Sequence, residues 1–236
     1  MNIKTVLIMG LLSLGIGGCS NAQNKQTGQS SQTEITEKAD TMENVNSKNT
    51  SAQDFWQSGI IINGERVVLP CKLADLEKLG WKLNSGASGE MLRSRNGTTQ
   101  TDVTNDKGQK LYVCFFNPYS KEVPIREGYI FELTQDLWLH NDNILSFEIA
   151  GLKSFEATED DILREMKKHL TPGFHDTQRM DYEESWDFVD EASYGQNYVT
   201  FTISHAKNKF PGKLISFAYT YQGDLLDKDM YKEKYK

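Results

Sequence analysis

Gly108-Gln109-Lys110-Leu111-Tyr112-Val113-Cys114-Phe115 and Gly195-Gln196-Asn197-Tyr198-Val199-Thr200-Phe201 are two versions of one pattern. Both read Gly-Gln, then one or two residues, then Tyr-Val-x-Phe. They lie about 87 residues apart, and a fixed period of that length is the mark of an internal duplication. Each version reads as a β-strand. In the first, Tyr112, Cys114 and Phe116 point one way and Leu111, Val113 and Phe115 the other, because successive side chains on a strand alternate between faces. Apolar groups on both faces require cover on both sides or an exposed aromatic surface.

The flanking elements fall into line with the period. Gly59–Val68 reads as a short strand pair around Asn63-Gly64, a turn dipeptide. Leu69-Pro70 and a helix over Cys71–Leu79 follow, with Leu73, Leu76 and Leu79 as its apolar stripe and Gly80 as its stop. In the second copy, Ile144–Phe155 around Gly151 precedes a helix that starts on the capping-box pair Thr158 and Asp161. Its buried stripe is Ile162, Leu163, Met166 and Leu170, and Thr171-Pro172-Gly173 is expected to end it. Tyr129–Leu133 and Ile215–Tyr219 match as the last strand of each copy. Turn signals at Asn96-Gly97, Asp106-Lys107-Gly108, Tyr194-Gly195 and Pro211-Gly212 separate the strands. The expected fold is α+β: two tandem copies of a strand–helix–antiparallel-strands unit, helices packed on antiparallel sheet. The copies occupy residues 54–141 and 142–236.

This duplicated layout resembles that of the β-lactamase inhibitor proteins, in which two copies form one long concave sheet; the resemblance is one of layout, from which the opening strand of each copy departs, and it carries over no functional residue. The pattern Gly64…Leu69-Pro70-Cys71…Leu76…Gly80-Trp81 is similar to uncharacterised lipoproteins of Gram-positive gut bacteria.

The N-terminus has a basic residue, Lys4, an apolar run from Val6 to Ile16, and then Ile16-Gly17-Gly18-Cys19. The apolar run is shorter than the roughly 20 residues that span a bilayer, and the pattern is that of a signal peptide. It resembles a bacterial prolipoprotein signal with its lipobox. That resemblance implies cleavage after residue 18, acylation of Cys19, and an extracytoplasmic, membrane-anchored protein at the cell surface. An ordinary secretory signal with Cys19 left as a free thiol is the other reading. Residues 19–53 are rich in Ser, Thr, Asn and Gln and hold only Ile35, Met42 and Val45 as large aliphatics. A segment of that composition cannot bury enough apolar surface to order itself, so it is expected to be a tether.

The chain carries a formal charge of −7, and −8 once residues 1–18 and Lys4 with them are removed. An acidic balance argues against nucleic acid, whose phosphates need clustered Lys and Arg. After Cys19, two cysteines remain, Cys71 and Cys114; an exported chain can bridge them, and two buried free thiols are the equal alternative. His140, His169, His175 and His205 have no spacing that would serve a cysteine nucleophile. The acidic run Asp181, Glu183, Glu184, Asp187, Asp190 and Glu191 alternates with Tyr182, Trp186 and Phe188, the pattern of a strand with one wet face rather than a calcium loop. Ser85-Gly86-Ala87-Ser88-Gly89 lacks the lysine of a phosphate loop. No catalytic residue, metal ligand or cofactor motif is assigned.

Aromatic residues carry the functional lean. Trp138, Trp186, Tyr182 and Tyr194 stand among polar and acidic neighbours and are the expected exposed binding residues. The leading expectation is a non-enzymatic module that binds a protein or an envelope polymer. A surface hydrolase whose carboxylates converge only in the fold is the alternative, and a structural envelope role the third.

Overall fold

The computed structural model describes residues 51–94, 97–135, 144–176, 183–205 and 210–225. Helix α1 covers 51–58, and the hairpin β1 (Ile60–Ile62) and β2 (Glu65–Val67) follows. Next come α2 (Leu73–Lys78), β3 (Trp81–Leu83), β4 (Met91–Leu92), β5 (Gly97–Asn105), β6 (Lys110–Asn117), β7 (Val123–Pro124) and β8 (Tyr129–Gln135). A second run gives the hairpin β9 (Phe147–Ile149) and β10 (Leu152–Lys153), α3 (Glu159–Met166), β11 (Thr171–Asp176), β12 (Glu183–Val189), β13 (Tyr198–Ser204) and β14 (Lys213–Thr220). The molecule is mostly antiparallel sheet with few helices.

Eight strands form the main sheet in the order β11-β12-β13-β14-β8-β6-β5-β3. The two hairpins form a smaller sheet, β10-β9-β1-β2, and β4 pairs with β7 in a ribbon. Both larger sheets read inward from each end to a seam, β14 against β8 in one and β9 against β1 in the other. Local geometry recurs as well. Asn63-Gly64 and Ala150-Gly151 both turn at positive φ (53° and 88°, 50° and 80°), the requirement of a type I′ hairpin. Both helices begin with an aspartate at the third position, Asp75 and Asp161, accepting the N-cap backbone N–H at 3.1 and 3.0 Å. Only α3 completes the box, with Asp161 N–H donating to Thr158 Oγ1. A β-bulge interrupts β6/β8 after Cys114 and β13/β14 after Thr202.

One face of the main sheet is core. Phe188, Val199, Tyr219, Leu133 and Val113 are successive cross-strand partners and all are fully buried. Leu73 and Leu76 of α2, Ile162 and Met166 of α3, and Ile60, Ile62, Phe147 and Ile149 of the hairpins join them in one apolar cluster. Phe147 packs on Phe217 with ring centroids 4.6 Å apart. From α1, Trp56 meets Tyr219 edge-on at 5.2 Å and stacks on Tyr221 at 4.8 Å, while its Nε1–H donates to Asp190 at 3.3 Å.

Two expectations about boundaries are corrected. Helix α1 crosses the 53/54 boundary given to the tether, and Ala52, before that boundary, is buried in the core; the apolar positions of this helix are too few to stand out in a polar segment. Thr171-Pro172-Gly173 does not stop α3, which ends at Met166, but opens β11. Proline suits an edge strand because it removes a donor that would otherwise face outward, and the ladder is irregular between Pro172 and His175.

Candidate functional site

The face of the main sheet turned away from the core is polar at its centre. Because residues alternate, the partners next to the buried row point outward: Gln100, Cys114, Glu132, Thr220 and Tyr198 are consecutive cross-strand partners. The row beside it is Asp102, Tyr112, Thr134, Ala218, Thr200 and Asp187. Glu132, Cys114, Tyr112 and Tyr198 are half-buried. Thr134 Oγ1 donates to Glu132 at 3.2 Å, and Thr200 Oγ1 donates to Asp187 at 2.7 Å. Thr220 is buried, and its hydroxyl approaches both Glu132 and Tyr198 without a well-formed hydrogen bond to either.

Burial dominates the titration of this centre. It lifts Glu132 above the ordinary carboxylate range, against the pull of the Thr134 and Thr220 hydroxyls. Burial, and then the charge of Glu132, pushes the Cys114 thiol up to about 12. Tyr198 is also raised, by burial first and by the charges of Glu132, Asp187 and Cys114 after it. A carboxyl with raised proton affinity, a protonated thiol and a phenol form a hydrogen-bonding surface, not a set of nucleophiles.

The cysteines do not meet. Cys71 belongs to the core cluster and bridges to Ile130, whereas Cys114 points out of the opposite face beside Glu132. The sheet separates them and both are free, so two free thiols replace the disulfide reading. Burial, with the charge of Asp75 behind it, pushes Cys71 to about 12 as well.

Of the four aromatics expected to be exposed, Trp138 and Tyr182 lie outside the described residues, as does Cys19. Tyr194 is 40% exposed at a left-handed φ of 55° in the turn between β12 and β13. Trp186 does not join it. It sits opposite Phe201, on the core side, and packs at the core margin with its Nε1 buried and unpartnered. Its ring stacks on His175 at 3.5 Å. His175 and His205 both pair with Glu184, His205 at 2.7 Å; no sequence spacing foretells this, because the three residues come from β11, β12 and the residue after β13. Burial pushes Glu184 up, but the hydrogen bonds from His205 and His175 outweigh it and hold the carboxyl below its ordinary range. Among the described residues, no group of three His, Cys, Asp or Glu side chains is placed to hold a metal ion.

A groove of about 490 Å³ over α3 contains Glu156, Asp161 and Glu165. Asp161 serves the Thr158 cap and pairs with Arg164, and Glu165 pairs with Lys168 and His169; both are held below the ordinary carboxylate range by those bonds. Acids fixed in the ionised form cannot donate a proton to a leaving group.

Comparison with protein-family models, with curated proteins and with solved structures finds no match to this chain. Among the described residues, no helix is long and apolar enough to cross a membrane.

Proposed function

We propose that this chain is a lipid-anchored, extracytoplasmic binding module that presents the outward face of its eight-stranded sheet to a protein or an envelope polymer. The observation that carries this reading is the contrast between the two faces. One is a continuous row of fully buried apolar side chains; the other, one residue along every strand, is a row of amide, thiol, carboxyl and phenol groups that reach solvent around the buried Thr220 hydroxyl. Such a wide, weakly reactive surface suits recognition, in which many modest hydrogen bonds act together. Two tandem copies of a hairpin–helix–four-strand unit make this scaffold. The paired type I′ turns, the paired aspartate caps, the paired bulges and the inward-reading strand orders support the duplication. Anchoring rests on Lys4, the apolar run and the lipobox ending at Cys19.

The test places a photo-crosslinking residue at Tyr112 or Thr200 in the intact protein in cells. A discrete adduct is expected from both outward positions and from neither Lys78 nor Glu159, which lie on the helices. Equal labelling from all four positions, or none, overturns the reading. Mass spectrometry of the same material checks the anchor: acyl chains on Cys19 are expected, and an unmodified thiol overturns that part.

A further inference from the structure

The loop after β6 and the start of α2 build a second, chemically different site. A groove of about 410 Å³ is lined by Lys72, Ala74, Tyr119, Lys121, Val123, Arg126 and Glu127. Its charge stands out on a chain whose formal charge is −7. Lys72 Nζ is held at 2.6 Å from the Glu127 carbonyl oxygen and 3.4 Å above the centre of the Tyr129 ring. A carbonyl dipole and a π face orient an ammonium without cancelling its charge. Among the described residues, neither Lys72 nor Lys121 has a carboxylate partner, whereas Arg126 pairs with Glu77.

A buried side chain fixes the loop that carries the other groups. Asn117, wholly buried at the end of β6, places its amide nitrogen 2.8 Å from the Arg93 and Lys121 carbonyls and 3.1 Å from that of Leu92. Its Oδ1 accepts the Tyr119 N–H at 2.9 Å. The backbone that carries Lys121 and Tyr119 is therefore held in place before any ligand arrives, which reduces the ordering cost of binding.

From this we infer that the groove binds a phosphodiester group. With Arg126 neutralised by Glu77, the charges of Lys72, Lys121 and Glu127 leave one net positive, which matches a monoanion. Lysine recognises phosphate as a point charge. A bare anion fills only part of a groove this size, and Tyr119, Ala74 and Val123 offer apolar surface to the groups esterified on either side. The phosphodiester can come from a lipid headgroup or from a soluble polyol phosphate.

The test uses the chain from Cys19 onward with Cys19→Ser, so that no acyl group contributes. Glycerophosphoglycerol is titrated into ¹⁵N-labelled protein, with sodium acetate and glycerol as controls at equal ionic strength. Saturable shifts are expected at the amides of Tyr119, Lys121 and Glu127, with affinity at least tenfold weaker in Lys121→Glu and unchanged in Lys168→Gln. Lys121 is exposed, so an unchanged thermal melt separates lost binding from lost folding. Lys72→Gln is expected to act in the same direction. Co-sedimentation with phosphatidylglycerol vesicles, but not phosphatidylcholine vesicles, that is lost in Lys121→Glu assigns the group to a headgroup; binding of the soluble probe alone assigns it to a polyol phosphate. No saturable shift, equal shifts with acetate, or an unaffected Lys121→Glu overturns the inference.

Discussion

The run β3-β5-β6-β8 and the run β11-β12-β13-β14 share a frame and differ at their tips. In both, a long central strand carries a fully buried phenylalanine, Phe115 in one and Phe201 in the other. Both have a bulge in the ladder to the last strand, two residues further along in the second run when the Tyr-Val-x-Phe segments are aligned. Beyond the bulge they part. The first run ends in the loop clamped by Asn117, with Tyr119, Lys121 and the oriented Lys72. The second ends in Glu184 held between His175 and His205, beside an edge strand that leaves Phe174 69% exposed. Packing constrains the rows and leaves the tips free to acquire separate chemistry.

The largest effect tests whether the frame is shared at all. Phe115→Ala and Phe201→Ala should each cost about 3–5 kcal/mol, and because one core joins both runs, each variant should still unfold in a single transition. Two separated transitions in a denaturant melt would split the halves. Next in size is the clamp on the first tip: Asn117→Ala leaves buried carbonyls unpaired and should cost about 1–3 kcal/mol, read as a fall in the melting midpoint. The hairpin turns differ too. Ala150 holds a left-handed φ of 50° where the first turn has Asn63, so Ala150→Gly should raise stability by about 0.5–1 kcal/mol, while Gly64→Ala should lower it.

The smallest effects, below about 1 kcal/mol, have opposite signs with pH. Glu132 binds its proton more tightly folded than unfolded. The stabilisation this gives is present at low pH and fades as pH rises through the folded value. Glu132→Gln should therefore be more stable than the parent at neutral pH and converge with it below about pH 4. Glu184 is shifted the other way. Its contribution is present above the ordinary carboxylate range and is lost as pH falls through the folded value, so Glu184→Gln should be less stable at neutral pH and converge in acid. Melting curves across pH decide both; curves that cross the other way would reassign the two carboxyls.

The parts legible in the sequence were those written in local code. Asn63-Gly64, the Thr158–Asp161 cap, and the alternation of Leu111, Val113 and Phe115 each state a turn, a helix start or a buried face within a few residues. The sites were not legible, because they are assembled across strands. Glu132 meets Cys114 and Thr220 only after three strands are registered, though a carboxyl between Phe131 and Leu133 on a strand is the one available sign. Trp186 was expected among polar neighbours and lies on the core side, since its own strand carries acids on both faces. Helix α1 leaves no local signal, because its burial depends on Tyr219 and Tyr221, far along the chain.

That helix has a mechanical consequence. A pull on the N-terminal end of this helix meets Ser51, bonded to the Lys168 carbonyl at 2.7 Å, and the buried Ala52 and Phe55, and then Trp56, whose ring and indole N–H grip the second run of strands through Tyr219, Tyr221 and Asp190. Tension would enter near the seam, where ladders on both sides resist it together in shear, rather than at β3 or β11, where one outer strand could be peeled off at a time. A load applied at this helix is shared by the sheet before any outer strand frays.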